Sequence, residues 1–582
     1  MIYKCYDLCA PFPDLMSDSF IYKADRPWPN ARLKVAAVVG HTTPESVRLW
    51  LRTASPGEFS LYLYGRDRAL PPAGEAAGET ALRAVLGTVP LASAAIEARL
   101  AGARREDFTV KDYAADSTVV LDIDNLDPDT RYGYCLYDRN EQRVTLGHNR
   151  LRGFRTPPPE EERRPFQFAL FSCHMPFAVS GLFEHRTEVA NMDMWDFLNA
   201  SLQRHSDEVD LVIAGGDQCY SDGVATLDIW RYLNRTMRKE DGRLLPDEAA
   251  MLSWYRDIYR GYWGFANVQR VFDSFPTYMI WDDHEIGDGW GSHYYRPTGK
   301  SDGLRRLLPD FQERGLSRAD GHELVQRMFR ASRQAYVEYQ HCHNPPTAPG
   351  EFDYHFRRGG CAFYVLDGRG QRDMEREAYR ILGPAQMDRF RNWADGLTPE
   401  QTPFLFVVSA VPVLHTRAAL VKADDQWLAG QAGLDDDLRD SWEHELHDAE
   451  RAALMNTLFA AAARGIRVAI LSGDVHVSAV FTIEDGNNHR IYQLTSSAIT
   501  YNLTRPQSWV LRLGAADSGE TAEGYRFERL ALYTDSAYAL ISVDPGQGEA
   551  WFKLYGEQTL QSPSLATDTV PLAHSLAKIR LA

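Results

Sequence analysis

The sequence predicts a two-domain chain in which an all-β sandwich precedes a layered α/β domain, and three observations carry that expectation. The first is a length of 582 residues, more than one compact core ordinarily holds at roughly 100–200 residues per domain. The second is a change of pattern near residue 160, from short alternating strands to buried apolar runs that alternate with amphipathic helices. The third is the charged, proline-rich stretch from Pro157 to Pro165, which has the composition of a linker. Residues 1–160 are therefore assigned to the first domain and 161–582 to the second, with residues 286–350 read as an insertion.

In the first domain, runs such as Ser46-Val47-Arg48-Leu49-Trp50-Leu51 and Phe59-Ser60-Leu61-Tyr62-Leu63-Tyr64 alternate in polarity and end at Pro or Gly turns, the pattern of half-buried strands. Its end, Leu126-Asp127-Pro128-Asp129-Thr130-Arg131-Tyr132 followed by Gly147 and Phe154-Arg155-Thr156, resembles the last strands of a fibronectin/immunoglobulin-like module. The second domain carries short β-rich runs at Phe166–Phe171, Leu211–Ala214, Thr277–Ile280, Ala362–Leu366, Phe404–Val408 and Val468–Leu471. The insertion contains a helix around Glu323 to Gln340. A second helix runs from Asp448, read as its cap, to Arg464, with Gly465 as the stop. Strand-like alternation returns from Tyr525 to Tyr555.

Composition excludes several classes. An apolar fraction of 44% with 25% charged residues is the balance of a folded globular protein. A net charge of -17 argues against general affinity for nucleic acid or anionic membranes, which require a basic face, so an anionic substrate must be drawn in locally. Seven scattered cysteines do not form a disulfide framework, and a reducing compartment is the simpler reading. Met1 to Trp28 lacks the apolar core of a signal peptide and a twin arginine, which points to the cytoplasm, and no apolar run is long enough to span a membrane.

Four apolar runs end in residues able to bind metal: Ser172-Cys173-His174, Gly216-Asp217-Gln218-Cys219-Tyr220, Trp281-Asp282-Asp283-His284-Glu285 and Ser472-Gly473-Asp474-Val475-His476. In open α/β sheets ligands bind beyond the carboxyl ends of strands, where such segments converge although they lie far apart in sequence. Each has an ordinary reading taken alone. Gly-Asp is a common turn, Cys173 a small buried hydrophobe, and the Asp282–Glu285 run an acidic helix start. The coincidence of four favours a metal site.

The combined order of Ser-Cys, Gly-Asp-x-x-Tyr, Trp-Asp-Asp-His-Glu and Ser-Gly-Asp-Val-His resembles the alkaline phosphatase D (PhoD-like) branch of the calcineurin-like metallophosphoesterases. Gly40-His41-Thr42-Thr43-Pro44 with Ser46–Trp50 resembles that family's opening, and Leu366-Asp367-Gly368-Arg369-Gly370-Gln371-Arg372 its Asp-x-Arg segment. The resemblance implies a metallophosphoesterase-type layered sheet behind the N-terminal sandwich. It implies that Cys173, Asp217, Tyr220 and His476 hold one metal, and that Asp217 bridges to a second bound also by Asp283 and Asp474. Thiolate, phenolate and imidazole suit a transition metal such as Fe3+, whereas carboxylates suit a hard cation, Ca2+ or else Mg2+ or Mn2+. His284 takes the position of the catalytic histidine, and Arg369 and Arg372 are candidates for a fork to a phosphate oxygen, a structural ion pair being the alternative.

The expected activity is metal-dependent hydrolysis of small phosphate esters, monoesters and/or diesters, with a dedicated phosphodiesterase or phospholipase as the alternative and a non-catalytic metal-holding protein as the remote one. Where exported relatives carry Gln after the cysteine this chain has His174, which puts the pocket's hydrogen bonding in question, and Asp288 is read as shaping a glycine-rich turn, with the binding of an extra cation as the alternative.

Overall fold

The computed structural model describes residues 34–65, 103–144, 152–180, 184–190, 192–205, 208–224, 227–292, 303–372, 380–415, 439–501, 514–556 and 578–581. Met1–Trp28 and Gly147, on which expectations were placed, lie outside the described residues. The chain divides into two compact units. The first is Met1–Pro159 with Tyr259–Tyr278 and Cys342–Asn344, and the second is Glu160–Ile258, Met279–His341 and Pro345–Ala582. Two pieces of later sequence thus belong to the first unit.

In the first unit, β1 (Ala36–Thr43), β2 (Ser46–Arg52), β3 (Gly57–Gly65), β4 (Arg104–Val110), β5 (Thr118–Ile123), β6 (Arg131–Asp138) and β7 (Arg152–Arg155) form two antiparallel sheets, ordered β1-β2-β5 and β4-β3-β6-β7. Alternation explains the pairing. Val47, Leu49 and Leu51 of β2 and Leu61 and Leu63 of β3 join Tyr134, Leu136 and Phe154 in one apolar cluster fed by both sheets. The segment Tyr259–Tyr278 adds Trp263, whose ring meets Trp50 edge to face at 6.0 Å.

The second unit holds two mixed sheets. Its strands in chain order are β8 (Phe166–Phe171), β9 (Phe177–Ser180), β10 (Glu184–Val189), β11 (Val209–Gly215), β12 (Arg238–Glu240), β13 (Arg243–Leu245), β14 (Thr277–Ile280, of which Met279 and Ile280 belong to this unit), β15 (Tyr354–Arg358), β16 (Cys361–Val365), β17 (Phe404–Val408), β18 (Arg467–Ser472), β19 (Ser478–Glu484), β20 (Arg490–Thr495), β21 (Ser518–Glu520), β22 (Arg526–Tyr533), β23 (Ala537–Asp544), β24 (Glu549–Gly556) and β25 (Lys578–Leu581). One sheet is ordered β14-β11-β8-β23-β24-β25 and the other β15-β16-β17-β18-β20-β19-β22-β21, while β9/β10 and β12/β13 are separate hairpins. β8 and β11 run parallel, as do β16, β17, β18 and β20, which places the ends of successive runs on common edges.

The sheets pack face to face through aromatic side chains, Phe168 of β8 meeting Phe363 and Phe406 of the other sheet at 5.4 and 5.2 Å. On its opposite face the eight-stranded sheet packs against the helices Gly383–Asp395 and Asp448–Ala463 through Phe390, Leu454 and Leu458. The fold is therefore a layered α/β one, and the C-terminal strands β22 to β24 complete both sheets.

Two sequence expectations need adjustment. The insertion helix begins earlier, at Arg318, because Ser317 accepts from the Asp320 backbone while the Asp320 carboxylate accepts from the Ser317 backbone, a reciprocal cap. Asp448 is not a cap but lies in the first turn, where it pairs with Arg451 at 3.1 Å, while Gly465, at φ 97°, stops that helix as expected. Among the described residues no helix is long and apolar enough to cross a membrane.

Candidate active site

The four polar segments converge, and their backbones are bent to do so. Cys173, Asp217, Asp474 and His476 have φ of 56°, 57°, 64° and 52°, left-handed values that non-glycine residues adopt at a cost of roughly 1–3 kcal/mol each. Of six such residues among the described part of the second unit, these are four, so the strain is concentrated at residues expected from the sequence as candidate ligands. The loops are tied to each other: the Cys173 amide donates to Gly216 O at 3.1 Å, the His174 amide to Asp217 O at 2.8 Å and the Gly473 amide to Ala410 O at 2.8 Å. Gly473 is required there, because a Cβ would collide with Ser172 and lie 2.9 Å from Gly215 O.

Asp217 is the centre of the site. The Cys173 thiol lies 3.4 Å and the Tyr220 hydroxyl 3.3 Å from its Oδ2. Carboxylate oxygens of Asp217, Asp282, Asp283 and Asp474 fall within 4.8 Å of one another, as do ligand atoms of Asp217, Asp283 and His284. His476 stacks on Tyr501 with ring centroids 3.6 Å apart, and its amide donates to the Ser497 hydroxyl at 3.1 Å.

Two acids that the sequence reading did not single out organise the rest. The Glu285 carboxylate accepts from the amides of Asp217 (3.1 Å), Gln218 (2.6 Å) and Asp282 (2.8 Å) and from the Gln340 side chain (2.9 Å), stapling the loop after β11 to the loop after β14. Asp222 meets His284 Nδ1 at 2.6 Å and accepts from the Asp288 amide. The glycine-rich run after His284 brings the Gly289 amide to Asp283 Oδ2 at 2.6 Å, while Asp288 itself is exposed.

Arg369 and Arg372 are committed to carboxylates. Arg369, with none of its side chain exposed, donates through Nη1 and Nη2 to both oxygens of Asp440 at 2.5 and 2.7 Å and through Nε to Asp282. Arg372 also donates to Asp440. Both arginines thus take part in buried ion pairs. His174 is likewise a buried anchor, its Nδ1 lying 3.1 Å from the Trp195 indole nitrogen and 3.0 Å from the Thr500 hydroxyl.

The electrostatics follow from crowding. Burial, reinforced by neighbouring carboxylates, pushes Asp217 and Asp474 well above the usual carboxylate range. Burial raises Asp282 to about 6 against the pull of Arg369, and Glu285 to about 7. Asp283 differs: burial opposes its charge, but Arg369, His284 and the Gly289 amide together hold it below the ordinary value. Burial also lifts the Cys173 thiol and Tyr220 phenol, and it opposes the charge on His284, which Asp222 and Asp283 nevertheless keep protonated well above the usual pH.

These residues fit bound metal. Asp217 Oδ1 and Asp282 Oδ2 are buried carboxylate oxygens with no hydrogen-bond partner among the described residues, an expensive condition unless a cation is meant to lie there. Protons now held by the crowded acids and by Cys173 are those that a cation displaces on binding.

A family model described as PhoD-like phosphatase matches residues 170–532. Alkaline phosphatase D of Bacillus subtilis (strain 168) is 25% identical over 387 residues, covering 66% of this chain and 56% of its own. An uncharacterized protein, YGR266W of Saccharomyces cerevisiae, is 23% identical over 327 residues, covering 46% and 44%. The chain thus spans about half the length of these curated relatives. A solved structure of PhoD superposes with a TM-score of 0.55 at 16% identity, covering 91% of this chain and 87% of that one, which shows a shared fold.

Proposed function

The chain belongs to the PhoD-like phosphatase family, and from that premise we propose that it hydrolyses phosphate esters, monoesters and diesters alike, with metal-activated water. The observation that carries this reading is the convergence of four buried or half-buried aspartates, two of which, Asp217 and Asp283, also meet His284, while Cys173 and Tyr220 reach Asp217. Cys173, Asp217, Tyr220 and His476 would hold a transition metal, Fe3+ on the softness of the donors, and Asp217, Asp283 and Asp474 a hard cation, Ca2+ or else Mg2+ or Mn2+. Such cations supply hydroxide at neutral pH and neutralise charge building on the phosphoryl oxygens. Asp282, which the sequence reading passed over for its neighbour, is a further carboxylate available to that wall.

The protein's own groups do the rest. His284, oriented through Nδ1 by Asp222, is left with Nε2 to give a proton to the leaving oxygen. Glu285 fixes the spacing of the loops that carry Asp217 and Asp283. Arg369 and Arg372, expected to fork a phosphate oxygen, are assigned instead the partial neutralisation of the acidic wall through Asp282 and Asp440. The two N-terminal sheets that share one core are read as the fibronectin/immunoglobulin-like sandwich that precedes the catalytic fold.

Turnover of a monoester and a diester of the same chromogenic alcohol tests the reading. Hydrolysis of both is expected; hydrolysis of the diester alone would replace it with a dedicated phosphodiesterase, and of neither, in metal-loaded protein, would remove it.

A further inference from the structure

Cys173 is surrounded by oxygen. Its sulfur lies 3.1 Å from the Ser497 hydroxyl, 3.2 Å from the Ser172 hydroxyl and 3.5 Å from the Asp474 carbonyl, with all three side chains of Cys173, Ser172 and Ser497 fully buried. The two hydroxyls are not equivalent. Ser172 has a second acceptor for its single proton, the Ser496 carbonyl at 3.3 Å. The Ser497 oxygen instead accepts the His476 amide at 3.1 Å, so its own proton is directed to the remaining neighbour, the Cys173 sulfur. Ser497 is also fixed from behind: its amide donates to the Ser478 hydroxyl at 3.2 Å, and that hydroxyl lies 3.2 Å from the Ser497 carbonyl.

We propose that Ser497 is a positioning residue for the soft half of the metal centre, donating a hydrogen bond to the Cys173 sulfur while holding the loop that carries His476. One hydroxyl thereby links two residues assigned to the same ion, and it withdraws electron density from the sulfur. Hydrogen bonds to a ligating sulfur tune the electronic properties of a bound metal, and the groups behind the ligands orient them. The inference rests on the reading of Cys173 as a metal ligand.

Cobalt(II), added to the metal-depleted full-length protein, tests it. The wild type should develop a sulfur-to-cobalt charge-transfer band that is absent in Cys173→Ala. In Ser497→Ala the sulfur becomes more electron-rich, and the band should move to longer wavelength. Ser172→Ala should move it less, because the Ser172 proton has the Ser496 carbonyl as an alternative. Ser497→Thr should keep the wild-type position and Ser497→Val the displaced one, a pair matched in shape that repeats the comparison if the alanine variant does not fold. A band unmoved in both hydroxyl-free variants overturns the role of Ser497 and leaves Cys173 as a ligand. No thiolate band in the wild type overturns the ligand assignment and the inference with it.

Discussion

The buried acids of the first unit and those of the candidate active site are used in opposite ways. In the first, each is matched by arginine: Asp116 pairs with Arg52 at 3.1 Å and Arg260 at 2.8 Å, and Asp273 with Arg152 at 2.6 Å. At the candidate site of the second unit, Asp217, Asp222, Asp282, Asp283, Glu285, Asp440 and the half-buried Asp474 crowd around two guanidiniums and one imidazole, whereas away from it Glu338 pairs with Arg256 at 2.6 Å as the acids of the first unit do. A buried carboxylate with its own arginine is a fold device, stabilising only as long as both partners remain. An excess of carboxylates, held by left-handed turns, is an arrangement that packing alone would disfavour, and strain of this kind gathers where function requires it.

The comparison breaks most severely at Asp217. Asp217→Ala should reduce phosphate-ester turnover to background and lower the bound metal, because that carboxylate faces Cys173, Tyr220 and the acidic wall together. Near-normal turnover in a folded, metal-loaded variant would refute the site. His284→Ala should retain metal and lose roughly 10²–10⁴-fold in kcat, less for esters whose leaving groups need no proton; a loss equal across leaving groups counts against the acid role.

Next come the matched pairs of the first unit. Asp273→Ala strands the buried Arg152 guanidinium and should cost about 3–5 kcal/mol in urea unfolding. Neutralising an acid of the site should act in the other direction: at neutral pH Asp474→Asn in metal-free protein removes the cost of keeping a carboxyl protonated there against its burial and the neighbouring Asp282 and Asp283, and its melting midpoint should rise slightly. A fall in both variants would show that the acidic wall is as well compensated as the first unit's ion pairs.

Much of this contrast was legible in the sequence, for a physical reason. Strands with buried faces read as apolar runs, and loops at their ends read as the polar residues that follow, so Cys173, Asp217, Asp283, His284, Asp474 and His476 could be located before their convergence was known. Support residues carry no such mark. Glu285 looks like an acidic helix start until the amides of Asp217 and Gln218 are seen to point at it. Asp222 has no spacing signal, Asp440 lies outside every motif, and Ser497 is one serine in Thr495-Ser496-Ser497. Nor could composition show that Asp116 of the N-terminal region would find its second arginine at Arg260, since partners distant in sequence leave no local pattern.

The central claim is that the surplus carboxylates exist to hold cations that perform phosphate-ester hydrolysis. It is tested most directly by measuring metal content and turnover on the same samples before chelation, after exhaustive chelation, and after add-back of iron and calcium. The account predicts that turnover disappears with the metal and returns with it, in proportion to the metal regained. Undiminished turnover in protein shown to be metal-free would contradict it.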